Sequence, residues 1–217
     1  MINFLLKNPS LYRFYQKTVR GKYDEYDFIK FIFEKNFFKN VRMLDICCGD
    51  SYILDYINES IDDYLGADNN NEYLKQCRER WKKFNFINLD LNDNKIADHF
   101  LKFKPNFIFI NGAIHHLDDN TVESINSLIK TNFLDCYFLS VDPIKNNNSL
   151  LNAAMIKLDR GKFIRNKFEY AKLMKSFESF IVNDFYKMNF ENIFHYKNFD
   201  LKKFYHNWKK EISLKNI

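Results

Sequence analysis

Three aspartates, one asparagine and a pair of histidines recur at intervals that could bring them round one ligand. Asp45 closes a short apolar run in the segment VRMLDICCGDS (41–51), just before a tight turn and a helical pattern. Asp68 ends the next apolar run, in YLGADNN, with Asn69 beside it, and Asp90 ends a third, in FINLDL, followed by Leu91. Asn111 ends a fourth and leads into GAIHHLDD, which carries His115 and His116. A strand that ends in an acid and a turn leaves a carboxylate and free backbone N–H groups at the mouth of a sheet. Open α/β folds take nucleotide-like ligands there.

The types and spacing narrow the ligand. An acid at the end of the second strand suits ribose hydroxyls, a feature shared with dinucleotide enzymes. The turn CCGDS, however, lacks the G-x-G-x-x-G spacing that seats a pyrophosphate on a helix N-terminus. Asp90 stands where an exocyclic adenine amine would arrive. Ribose and adenine without a pyrophosphate, together with a zwitterionic amino acid, describe S-adenosylmethionine. Blander readings stand beside these. Asp45 and Asp68 could be helix N-caps, and the two histidines could pack a pocket wall instead of serving as a general base. Cys47 and Cys48 lack the partner that a nucleophilic thiolate needs. The four cysteines show no zinc spacing and no disulfide framework, so no metal is expected and the thiols should be reduced.

Positioning such residues requires alternating strands and helices. Periodicity predicts strands at 41–46, 62–67, 84–89, 106–111 and 135–141, with helices at about 51–58, 70–81, 95–102 and 119–131. This alternation implies right-handed crossovers and a buried, mostly parallel sheet. Two helices are expected before it: one from Pro9 to Gly21 and one at about 23–38 that places Tyr26, Ile29, Phe33 and Phe37 on one face. After Pro143 the regularity breaks. Helices at about 149–159 and 167–176 are followed by strand patterns at 179–186 and 193–199, an antiparallel hairpin at the end of the sheet.

In this order the segments DICCG, LGAD, NLDL and FIFINGAIHHLDD resemble the class I S-adenosylmethionine-dependent methyltransferases over residues 41–142. The HHL stretch is similar to a small-molecule branch of that family. The flanks PSLYRFYQ (9–16) and LDRGKFIR (158–165) resemble that branch's lid helix and its insertion after the fifth strand. The resemblance implies an α/β Rossmann-like fold: a seven-stranded mixed sheet in the order 3-2-1-4-5-7-6, helices on both faces and a helical lid. It implies one domain over 1–217, made of a lid (1–40), a cofactor core (41–142), an insertion over the acceptor pocket (143–176), a strand hairpin (177–200) and a tail (201–217).

Carried over position by position, the resemblance has Asp45 hold the turn near the methionine ammonium, while backbone at Cys47 and Gly49 approaches S-adenosylmethionine. Asp68, with Asn69 beside it, would meet the ribose, Asp90 and the Leu91 amide the adenine, and the Asn111 carbonyl the ammonium. Tyr15 or Gln16 would close the lid. His116 or His115 would be the catalytic base, and Tyr12, Asp142, Arg160 and Arg165 would line the acceptor site. One departure is visible: the family turn reads D-x-G-x-G-x-G, and here Cys47 and Ser51 stand at the outer glycine positions, where glycine normally supplies positive φ.

The totals set bounds. The chain has 217 residues, 46% of them hydrophobic, which excludes disorder and suits a single core. The net charge of +5 is scattered among acids, densest at Lys157–Lys175 and Lys202–Lys215, and such faces are normally solvated. The resemblance to the small-molecule branch implies an O or N acceptor such as a sugar, lipid precursor or secondary metabolite, and the scattered charge disfavours nucleic acid as a partner. The rivals are an RNA methyltransferase using the basic stretches, and a non-catalytic S-adenosylmethionine-binding scaffold. The short apolar start of the chain and the lack of any run of ~20 apolar residues lead to the expectation of a cytoplasmic protein without a membrane span. Oligomeric state is not legible.

Overall fold

The computed structural model describes residues 23–35, 38–93, 96–146, 150–182, 185, 190–196 and 200–214. The expected lid helix, with Tyr12, Tyr15 and Gln16, lies outside them. In chain order the elements are α1 (Glu25–Glu34), β1 (Arg42–Ile46), α2 (Leu54–Ile57), β2 (Asp63–Asp68), α3 (Asn71–Arg80), β3 (Asn85–Asn88), α4 (Ile96–Phe103) and β4 (Phe107–Asn111). A 3-10 turn (Ile114–His116) leads to α5 (Asp119–Asn132) and β5 (Tyr137–Ile144). Then come α6 (Leu150–Leu158), α7 (Lys167–Leu173), β6 (Glu178–Val182), β7 (Phe190–Tyr196) and α8 (Leu201–Leu214).

The strands form one sheet in the order β3-β2-β1-β4-β5-β7-β6. The first five run parallel, and β7 pairs antiparallel with both β5 and β6. Strand side chains alternate between two cores. Met43, Tyr64, Phe107 and Phe109 pack with α1, α2, α3 and α8, whereas Leu44, Leu65, Ile108 and Ile110 pack with α4, α5 and the segment around Tyr170. Burial on both faces explains why these strands read as continuous apolar runs. The order in which strands are added reverses at β1, outward to β3 and then back to β4 on its other side, so the C-terminal ends of β1, β2 and β4 open on a common crevice, the usual ligand site of such sheets.

Three boundaries differ from the sequence expectation. Within the stretch assigned to the lid, residues 23–35 pack on the sheet: α1 is capped by Asp24, which accepts from the Tyr26 and Asp27 amides, and buries Phe28, Ile29 and Ile32. The tail is not a loose basic end. Residues 201–214 form α8, whose Tyr205 and Trp208 rings meet Phe28 at 5.6 and 5.4 Å. Thirdly, β5 runs on through Pro143, because beyond Val141 it has outrun β4 and pairs with β7 alone, where a missing N–H is tolerated.

The excursion after β5 leaves and returns at one point. Lys145 and Asn166 form an isolated parallel bridge, and the Lys145 amide donates to the Arg165 carbonyl at 2.9 Å.

Candidate active site

The turn after β1 is the first component. Cys47, Gly49 and Ser51 all lie in the left-handed region, with φ of +60°, +54° and +53°. These are the three positions the family motif gives to glycine, so the backbone path is kept while two of the glycines are not. A side chain there carries a cost of ~1–2 kcal/mol. Ser51 recovers part of it: it is fully buried, and its Oγ stands 3.0 Å from Tyr64 Oη, which is also 2.5 Å from Asp45 Oδ2. Asp45 is thus enclosed beneath the turn and does not line the ligand cavity. Burial raises its pKa to about 8; the Tyr64 hydrogen bond works against that, and the charges of Asp68 and Asp50 add to it. It holds the turn from inside, and its side chain does not itself reach the cavity. Burial likewise lifts the Cys47 and Cys48 thiols above their ordinary range, so neither is a nucleophile at neutral pH.

Across the turn, Asp68 Oδ2 accepts from the Gly49 amide at 2.9 Å and Oδ1 from the Asn70 amide at 2.8 Å. These bonds fix the carboxylate at the crevice edge. Asp90 is oriented by the Asn92 backbone and side-chain N–H groups at 2.9 and 3.1 Å. Both acids border one cavity of about 740 Å³. Cys47, Gly49, Asn69, Leu91 and Asn111 line it as well, and at its far end so do His115, His116 and Arg160. The volume is in the range of a cofactor site.

Sequence reading missed two contributors. Glu25 and Tyr26, on the first turn of α1, also line the cavity. Glu25 is 1% exposed, and the Asn111 side-chain amide donates to Tyr26 Oη at 3.0 Å and towards Glu25 Oε1 at 3.5 Å. An acid just after an N-cap looks like a complement to the helix dipole, which masked Glu25. Tyr26, Tyr52 and Tyr56 stack into an aromatic wall with ring centroids 5.3–5.5 Å apart.

The far end is built from the 3-10 turn, β5 and the insertion. His115 is 4% exposed. Its Nδ1 lies 2.7 Å from Asp142 Oδ1, its Nε2 lies 3.2 Å from Asp159 Oδ1, and its amide donates to Asp142 at 3.0 Å. Burial would lower its pKa, but the bonds to Asp142 and then Asp159 outweigh that and raise it to about 9. Held as a cation between two carboxylates, it has no lone pair with which to take a proton. His116, its ring 4.2 Å from that of His115, is lowered to about 4 by its packing and then by the His115 charge. The ring borders the cavity and is neutral at pH 7.

Asp159 sits where it does because Gly161 follows it. A Cβ on Gly161 would fall 2.0 Å from His115 Cδ2, and the Gly161 amide donates to Asp159 Oδ1 at 2.6 Å. Two residues expected against the acceptor are used elsewhere. Asp142 is fully buried and saturated by His115 and by Ser140 Oγ at 3.2 Å. Arg165, 6% exposed, pairs with Asp119 and donates to the carbonyls of Ile114, Leu117 and Phe163. A guanidinium with its donors so occupied pins the insertion to the sheet and leaves nothing for a ligand. Its ion partner is Asp119, while Asp159 is taken by His115.

No family model matches the chain, and no curated protein sequence does. Solved structures do. Magnesium protoporphyrin IX methyltransferase (ChlM) from Synechocystis PCC 6803, with bound SAH, superposes with a TM-score of 0.58 at 12% identity, over 83% of this chain and 82% of that one. A SAM dependent methyltransferase from Archaeoglobus fulgidus gives 0.55 at 18% identity, over 79% and 94%. The mitomycin 7-O-methyltransferase MmcR gives 0.56 at 12%, over 79% and 54%. Likeness at such identities speaks for architecture: this chain has the α/β Rossmann-like fold of the S-adenosylmethionine-dependent methyltransferases.

Proposed function

We propose that the protein binds S-adenosylmethionine and transfers its methyl group to an oxygen or nitrogen of a small molecule. The observation that carries this reading is the triple left-handed turn at Cys47, Gly49 and Ser51, facing Asp68 across the crevice. A chain that retains the backbone path after giving up two of three glycines keeps it at a cost, and a close approach of backbone to ligand is what the path provides. The acids give further support: Glu25, Asp50, Asp68 and Asp90 all border the cavity, a setting suited to a ligand with an ammonium and a sulfonium.

In this reading Asp68 accepts from the ribose hydroxyls, with Asn69 beside it. Asp90 accepts from the adenine amine, and the Leu91 amide donates to the ring. The Asn111 carbonyl and the Glu25 carboxylate face the amino-acid end. When bound, S-adenosylmethionine supplies a methyl carbon already activated by its sulfonium. The protein's part is alignment and exclusion of water, and orientation of this kind contributes ~7–11 kcal/mol. The acceptor end lies under Asp159, Arg160 and Phe163, with His116 beside them. Arg160, which lines this end of the cavity, is the cationic group placed to orient an anionic or polar acceptor. His116, neutral at pH 7, is the group there able to take a proton, weakly. Enclosure by the insertion favours a small molecule over a polymer.

Calorimetric titration with S-adenosylhomocysteine tests the cofactor half. Loss of a hydrogen bond to a charged group costs ~1.5–3 kcal/mol, so Asp68→Ala should bind roughly tenfold weaker or worse. Equal affinities for the two proteins would remove Asp68 from the site.

A further inference from the structure

Three donors from segments far apart in sequence meet at the acceptor wall. His115 and His116 come from the 3-10 turn and Asp159 from the end of α6, and their ligand atoms all lie within 4.8 Å of one another. His115 Nε2 and Asp159 Oδ1 are 3.2 Å apart. Two donors at ~2.1 Å from a shared tetrahedral cation stand roughly 3.4 Å apart, so this pair already has ligand spacing, and the His116 donor lies within 4.8 Å of both.

The surroundings carry the same sense. A histidine that binds a metal through one nitrogen usually gives the other N–H to a carboxylate, which fixes tautomer and ring plane. Asp142 does this for His115 at 2.7 Å, and is itself fully buried and held by Ser140. The His116 ring makes no hydrogen bond among the described residues and borders the cavity. Gly161 is the third observation: its missing Cβ is what lets the insertion set Asp159 against His115. Formal charge also balances. Two carboxylates round neutral imidazoles leave −2, which a divalent cation cancels.

We propose that His115, His116 and Asp159 bind a divalent first-row cation of the zinc, manganese, iron or cobalt class, with Asp142 orienting His115 from behind. Two imidazoles and one carboxylate suit these ions better than calcium or magnesium, which take oxygen ligands. The cation takes the place of the proton between His115 Nε2 and Asp159. Its open position faces the cavity and suits an oxygen of the acceptor; that last point alone rests on the methyl-transfer reading.

Cobalt(II) titration of the full chain, followed by visible absorption and melting temperature, tests the site. The expected result is one equivalent bound, with the ligand-field bands of nitrogen and oxygen ligation, no thiolate charge-transfer band and a raised melting point. His116→Ala and Asp159→Asn should each weaken binding at least tenfold while circular dichroism stays native, and Asp142→Asn by ~10–100-fold. His206→Ala, on the exposed side of α8, should change nothing. No binding at millimolar cobalt, a thiolate band, or wild-type affinity in both His116→Ala and Asp159→Asn would overturn the proposal. The titration contains neither S-adenosylmethionine nor acceptor, so its failure leaves the methyl-transfer reading intact. Failure of the S-adenosylhomocysteine titration would in turn leave this site intact.

Discussion

At Cys47 a side chain occupies a backbone conformation that favours glycine, φ +60°. Cys47→Gly should raise stability by up to ~1 kcal/mol, since the gain in the folded turn is partly offset by the freer unfolded chain. It should also leave S-adenosylhomocysteine affinity unchanged or tighter; thermal melts and calorimetry on the same protein decide both. Asp45 makes a pH-dependent contribution whose sign is unusual for a carboxylate. Its pKa rises from 3.8 to about 8 on folding, so the folded protein holds a proton that the unfolded chain releases. Its contribution is greatest below pH 4 and is lost as pH climbs through 8. Melting temperature should therefore decline over that window, and Asp45→Asn, a permanent stand-in for the protonated form, should flatten the decline. A profile unchanged by the substitution would show that Asp45 is ionised in the fold. The four strand-end residues Asp45, Asp68, Asp90 and Asn111 were legible from sequence because a strand end is a fixed address in an alternating fold. Which of them turns outward was not legible: Asp45 looks inward because Tyr64, one strand away, captures it, and no periodicity reports such a pairing.

Strands and helices were legible wherever burial imposes a period, and their boundaries failed where tertiary contacts decide. Helix α2 shrank to Leu54–Ile57, and α8 appeared in a stretch read as solvated tail, since its buried Leu201, Tyr205 and Trp208 are diluted by lysines. The insertion was legible as helices, and its place over the acceptor pocket was only implied by the resemblance; its two anchors were not legible, because they are side-chain contacts over long sequence distances. Arg165→Ala should cost roughly 2–4 kcal/mol by stripping the carbonyls of Ile114, Leu117 and Phe163 of a charged donor. Arg165→Lys should recover little of it, because an ammonium cannot serve several acceptors in a plane. Denaturant melts measure both. Gly161→Ala tests the other anchor. Its methyl would overlap His115, so a loss of ~1–3 kcal/mol is expected, together with faster hydrogen exchange along 159–163. Retained protection there would mean that the contact is looser than it stands.

Taken whole, the chain carries +5 with its charges intermixed. Binding to structured RNA should be weak and should vanish as salt rises to physiological strength, which filter retention measures; tight, shape-selective retention would favour the RNA rival instead. No helix among the described residues is long and apolar enough to cross a membrane. The parallel bridge between Lys145 and Asn166 has a bearing on how such a molecule changes over evolutionary time. Because the excursion departs and re-enters side by side, residues 146–165 behave as a cassette. A change in its length or contents should therefore leave strand register on either side unaltered. Arg165 is the latch of that cassette, and Asp159 with Gly161 is the key that fits the histidine turn. A transplanted excursion from a homologue should thus be accepted as a unit if those three positions travel with it, and under the proposed function it would change acceptor preference while leaving the crevice at Asp68 and Asp90 unaltered.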